Sequence, residues 1–192
     1  MQRTDFGAMA CSIARTMDVV GEPWSPLILR NIYMGLSRFD QLQQSLGMSR
    51  KVLAERLRWL TETGVLERRE YSARPPRHEY VLTAKGLELF EVLMVMVAWG
   101  DKWLAGAAGP PALYRHHACG QIGHAELRCS ECGQPMRATD IDVLPGPGSA
   151  PPTSDAGQGT YLDGREDPGR REQGTSQQPD ARDTEGKQSG TR

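Results

Sequence analysis

Helical spacing of apolar residues dominates the first third of the chain. Ile13, Met17, Val19 and Val20 form one apolar side, closed by Gly21. Ser25 and Pro26 read as the N-cap and first residue of a second helix, because a proline there loses no needed donor. The run LILRNIYM continues it, with Gly35 as its stop. Phe39, Leu42 and Leu46 mark a short third helix ending at Gly47. Ser49 caps a fourth, which runs to Thr63 and stops at Gly64. The period then changes. VLERREY and RHEYVLT are strand-like runs around SARPP, where two prolines stiffen a turn. Thr83 caps a last long helix that reaches about Leu104.

Helices followed by a helix, a strand, a tight basic turn and a second strand give the order of a winged helix-turn-helix. The expected class is therefore mainly α with a small β-hairpin wing (α+β), a frame for holding a helix in the DNA major groove. On a wheel of about 100° per residue, Leu53, Leu57 and Leu60 anchor the fourth helix. Lys51, Glu55, Arg58 and Glu62 fall opposite, with Arg50 and Arg56 flanking the stripe. The early face offered to a groove is Ser49, Arg50, Lys51, Ala54, Glu55 and Arg58. Arginine takes guanine bidentately, and glutamate accepts from cytosine N4. Ser49 and the first-turn amides suit a phosphate. Arg74 and Arg77 lie in the turn, where a wing meets phosphate or the minor groove. A solvated surface helix would also carry charges on its outer face, so the wing is what tips the reading toward DNA.

Charge sharpens this. The formal net charge of -1 gives no hint of nucleic acid, but residues 37–77 carry 9 Lys/Arg against 5 Asp/Glu. A local patch sets the field that a phosphate backbone feels.

Several segments together resemble the HxlR-type winged helix transcriptional regulators of bacteria over about residues 11–103. They are the leading Cys11, Trp24 before LILR, Arg38-Phe39 followed by Leu42, SRKVLAERLRWL, and PPRHEYVLT. The resemblance implies a homodimer on a palindromic or near-palindromic double-stranded DNA operator. It carries the reading role onto Ser49, Arg50, Lys51, Glu55 and Arg58, and the wing role onto Arg74 and Arg77. The sequence departs where Ser12 replaces a usual proline and where Trp59 replaces an often charged residue, which implies a local packing contact around Trp59.

EVLMVMVAWGDKW is apolar almost all round from Val92 to Val97. Such a helix must be covered on both sides. A domain of about 100 residues has little core to surround it, so a partner subunit is the expected cover. The alternative is a fully buried core helix. No apolar run approaches the ~20 residues of a membrane span. MQRTDFGAMACS has no signal-peptide core, so a cytoplasmic location is expected.

In that compartment four cysteines point to metal or redox chemistry more than to disulfides. His116-x2-Cys119-x9-Cys129-x2-Cys132 gives two close pairs of N/S ligands, with Gly120 and Gly133 allowing tight turns. Four such ligands match a closed, structural Zn2+ site, in a unit that resembles a zinc-ribbon-like extension. His117 and His124 are alternatives to His116, and a metal-free hairpin with loose thiols is the plainer reading. Cys11, before the first helix, is a possible redox sensor or simply a small half-buried residue.

The expected organisation is a DNA-binding and dimerisation domain over 1–108, the Cys/His extension over 109–148, and a disordered tail over 149–192. A regulator answering a redox signal, a metal or a small-molecule effector is the second reading, and a protein-interaction adaptor the third. A zinc hydrolase is disfavoured: no H-E-x-x-H or nucleophile elbow is present, and a four-ligand site leaves no open position for water, so no enzyme is expected.

Overall fold

A computed structural model of the chain describes Phe6 and residues 9–149. The expected tail, apart from Ser149, falls outside the described residues. The elements run α1 (Ser12–Val20), α2 (Trp24–Tyr33), α3 (Phe39–Leu46), α4 (Arg50–Glu62), β1 (Leu66–Ala73), β2 (Pro76–Leu82) and α5 (Ala84–Leu104). A short 3-10 turn at Gly106–Ala108 leads to β3 (Tyr114–Arg115) and β4 (Ile122–Gly123). No helix among the described residues is long and apolar enough to cross a membrane.

The core lies where α2, α3 and α4 meet the base of the hairpin. Leu53, Leu57 and Leu60 are fully buried, as the wheel requires, together with Ile28, Leu29, Leu42 and Val65. Each leucine removed from water contributes about 1.5–3 kcal/mol. Phe90 and Leu93 attach α5 to the same cluster, and the Phe90 ring stacks on Tyr33 with centroids 3.9 Å apart.

The helix ends obey local chemistry, with one correction. Ser49 caps α4 by accepting a bond from Val52 N–H at 3.3 Å, and Thr83 caps α5 by accepting from Gly86 N–H at 3.1 Å. Helix α2, however, starts at Trp24, so Ser25 is not its cap and is buried in the first turn. The Glu22 carboxylate accepts from Trp24 N–H at 3.1 Å, which satisfies an early donor before the serine is reached.

Strands β1 and β2 pair antiparallel, with Leu66 opposite Leu82 and Ala73 opposite Pro76. The pairing runs further into SARPP than its prolines suggested and leaves only Arg74 and Pro75 in the loop. Tyr71 is the extra residue of a bulge between Glu70 and Ser72. A third segment joins the sheet: Arg38 bridges Glu79, and Tyr80 N–H donates to the Ser37 carbonyl at 2.8 Å.

One corner ties α4 to α5. Thr83 Oγ1 donates to the Gly64 carbonyl at 2.7 Å, and Lys85 Nζ donates to the Thr63 carbonyl at 2.8 Å. Gly86 lets the first turn of α5 approach Val65, whose carbonyl oxygen a Cβ would strike.

Candidate nucleic-acid interface and Cys/His unit

Helix α4 follows the turn Gly47–Met48–Ser49. Gly47 holds a left-handed φ of 63°, and Met48 plugs the core at 5 % exposure. This is the corner that sets α4 across α3. With its leucines buried, α4 exposes Arg50, Lys51, Ala54, Glu55, Arg58 and Glu62. All five of the helical residues expected to read DNA therefore lie at the surface.

Their local states differ. The Ser49 hydroxyl is engaged in its own cap. Arg50 Nη1 lies 3.1 Å from Asp40 Oδ1 and 3.1 Å from Gln43 Oε1, with its guanidinium over the Phe39 ring. Arg58 makes an exposed pair with Glu62 at 3.7 Å. Lys51 and Glu55 have no side-chain partner among the described residues. Arg56 turns the other way: its Nε lies 3.6 Å from Glu22, and both side chains are largely covered. It is a brace between α4 and the approach to α2. Trp59 is half-buried.

The hairpin sorts its arginines similarly. Arg68 Nη2 contacts His78 Nδ1 at 3.0 Å. Arg69 binds Glu67 at 2.8 Å, and that hydrogen bond holds the Glu67 carboxyl below its usual range. Arg74 and Arg77 are exposed at the tip, with no side-chain partner among the described residues.

Ser37, Arg38, Asp40 and Gln43 are participants that the sequence did not reveal. Ser37 Oγ donates to Glu79 at 3.3 Å, and Arg38 lies over the Tyr71 ring at 4.3 Å. Asp40 and Gln43 hold Arg50. One contact chain thus runs from the wing, through the start of α3, to the start of α4. Arg38 and Asp40 mark the start of α3, but nothing local ties them to the wing or to α4, because those contacts are tertiary.

The Cys/His unit places its residues in two tight turns. In the first, Cys119 Sγ is 3.5 Å from His116 Nδ1. In the second, backbone N–H groups of Cys132 and Glu131, and then the Cys132 side chain, point at Cys129 and pull its thiol pKa down. The two pairs stay apart: among the described residues no three His, Cys, Asp or Glu side chains converge where one metal ion could sit. His124 faces Glu126 instead, at 3.8 Å. Cys11 sits at the N-cap position of α1, half-buried, without a side-chain capping bond.

Comparison with known proteins decides what this frame is. The model of the HxlR-like helix-turn-helix family matches residues 19–107. The uncharacterised HTH-type transcriptional regulator Rv3095 of Mycobacterium tuberculosis is 44 % identical over 137 residues, covering 71 % of this chain and 87 % of its own. The chain belongs to the HxlR-like helix-turn-helix family. It is a helix-turn-helix transcriptional regulator, and its relatives are transcription factors, not enzymes. An HTH-type regulator of Synechocystis is 42 % identical over 95 residues, 49 % of this chain and 70 % of that one. Among solved structures, PA1607, described as a candidate transcription factor, is similar with a TM-score of 0.66 and 34 % identity, covering 73 % of this chain and 99 % of that one. Only 108 residues precede the extension at Gly109, so 29 or more of the 137 positions aligned with Rv3095 lie in the extension or beyond it. The HxlR-like regulator and this relative therefore share more than the winged helix.

Proposed function

We propose that the regulator acts as a homodimer on a near-palindromic double-stranded DNA operator, with α4 in the major groove and the wing tip on phosphate or in the minor groove. The observation that carries this is the division of α4 into a fully buried leucine side and an outer side presenting Lys51, Ala54, Glu55 and Arg58. A small residue flanked by two cations and one acceptor allows close approach and a choice of base. Arg50 joins them by exchanging Asp40 for DNA. Arg74 and Arg77 supply sequence-independent grip.

The dimer rests on α5. Val92, Met96, Trp99 and Trp103 are 49 %, 54 %, 60 % and 63 % exposed. Their spacing of four, three and four residues draws one stripe along the helix. On α1, Ile13 and Met17 are exposed as well, at 74 % and 39 %. Of the apolar side expected there from the sequence, Val20 is buried in the core and Val19 packs against it, which leaves Ile13 and Met17 uncovered. Water against this much contiguous apolar surface is costly, and a second copy removes it. Two subunits then present two reading helices about one DNA turn, ~34 Å, apart.

Selection of bound duplexes from a random pool tests the reading. The expected product is an inverted repeat with half-sites about one turn apart. Recovery of no enriched sequence at low salt, from protein shown to be folded, would sink it.

A further inference from the structure

The two turns of the Cys/His unit are the same structure used twice, thirteen residues apart. His116 corresponds to Cys129, Cys119 to Cys132, Gly120 to Gly133 and Gln121 to Gln134. His116 N–H donates to the Gln121 carbonyl at 2.9 Å, as Cys129 N–H does to Gln134 at 2.9 Å. Gly120 N–H returns to the His116 carbonyl at 2.7 Å, as Gly133 N–H does to Cys129 at 2.9 Å. Both glycines hold left-handed φ, 70° and 71°. Each turn is closed by a matching bridge, Arg115 with Ile122 and Arg128 with Pro135. A repeated turn that offers two N/S side chains three residues apart is half of a tetrahedral site, made twice.

Two further observations point to a metal. From Pro110 to Ser149 no residue is buried, and the larger apolar side chains Leu113, Ile122, Leu127, Ile141, Val143 and Leu144 stay exposed. Two regular turns with no core between them need a cross-link to persist. The first pair also has the right span. With Zn–S near 2.3 Å and Zn–N near 2.05 Å, a tetrahedral S···N edge is about 3.5 Å, and Cys119 Sγ stands 3.5 Å from His116 Nδ1. His124 is directed to Glu126, and His117 has no equivalent in the second turn.

We propose that His116 Nδ1 and the thiolates of Cys119, Cys129 and Cys132 bind one Zn2+ in a closed tetrahedral site that locks the two turns together. The separate pairs close on the ion as the second turn moves onto the first. Binding takes the thiol protons off as thiolate–zinc bonds form, so affinity falls with acid. Four protein ligands leave no position for water, and the role is structural. The site depends on neither the operator nor the dimer.

The test uses the full chain. Zinc per chain is measured by plasma emission, reactive thiols by Ellman's reagent, and the ligand field by Co2+ replacement. Expected are one metal per chain, three thiols protected until chelator is added, and tetrahedral cobalt bands with thiolate charge transfer. Cys11→Ser should keep the metal, whereas Cys129→Ser or Cys132→Ser should lower zinc affinity at least a hundredfold. His116→Cys should keep the metal and shift the cobalt spectrum, which separates ligand loss from misfolding. Four thiols freely reactive in folded wild-type protein, or an octahedral cobalt spectrum, would overturn the proposal. Loss of the metal in His117→Ala or His124→Ala, with retention in His116→Ala, would overturn the ligand set.

Discussion

Arg50, proposed to read DNA, is held in its resting place by little. Its pair with Asp40 is 67 % and 85 % exposed on the two sides, and a pair so wet contributes at most about 1 kcal/mol. DNA can therefore take Arg50 from Asp40 at small cost. Asp40→Asn should leave stability within about 0.5 kcal/mol and tighten DNA binding, since it frees a cation and removes a charge that repels phosphate. Anisotropy titrations beside urea melts check both; weaker binding at unchanged stability would contradict the tether. Arg58 makes a similarly exposed pair, and Arg58→Ala should lose about 1–3 kcal/mol of discrimination at one base pair, read from competition with single-base operator variants. Arg74→Ala should instead weaken every sequence alike and lower the salt slope by about 1. The exposed face of α4 was legible because its leucine spacing is regular and every outward residue is charged or small. The tether was not legible: Asp40 and Gln43 lie on another helix, and nothing in sequence order pairs them with Arg50.

At the scale of elements, α4 was readable at both ends, from Ser49 before it and Gly64 after it. The hairpin was readable in place but not in extent, because its pairing continues through Ala73 and Pro76. Proline at the end of an outer strand costs no ladder bond, so SARPP yields to the strands on both sides. The start of α2 was misplaced for a related reason: a serine-proline pair suits a cap, but Glu22 already does that work from outside the helix. The corner between α4 and α5 rests on Thr83, Lys85 and Gly86. Thr83→Ala should cost about 1 kcal/mol as a lost cap, and Gly86→Ala about 1–3 kcal/mol as overpacking against Val65. Leu57→Ala, in the core under the reading face, should cost about 2–5 kcal/mol. Urea unfolding monitored by circular dichroism ranks the three, and a neutral Gly86→Ala would mean that α5 can shift away from Val65.

Over the whole molecule, the apolar stripe of α5 and the exposed Ile13 and Met17 of α1 are the surface on which the proposed dimer depends. Met96→Glu with Trp99→Glu should give a folded monomer by light scattering, with binding to a full operator falling toward that of a half-site. A dimer that survives both changes would move the interface elsewhere. The all-apolar run from Val92 to Val97 was legible in the sequence, but only two of its members, Val92 and Met96, stand exposed, in line with the later Trp99 and Trp103. Three-dimensional packing against Phe90 and Leu93 decides which side stays open. Helix α5 spans 21 residues, about 30 Å at 1.5 Å per residue. It is anchored to the winged-helix head by the Thr83 corner at one end and followed by the Cys/His unit at the other. In a pair joined along the stripe, this length works as a gear. A change of about 10° in the crossing angle, over about 30 Å, sweeps each head by about 5 Å, more than one base-pair step of 3.4 Å. Operator spacing is then a readout of how two helices cross, and anything that lodges between α5 and its neighbours turns the same dial.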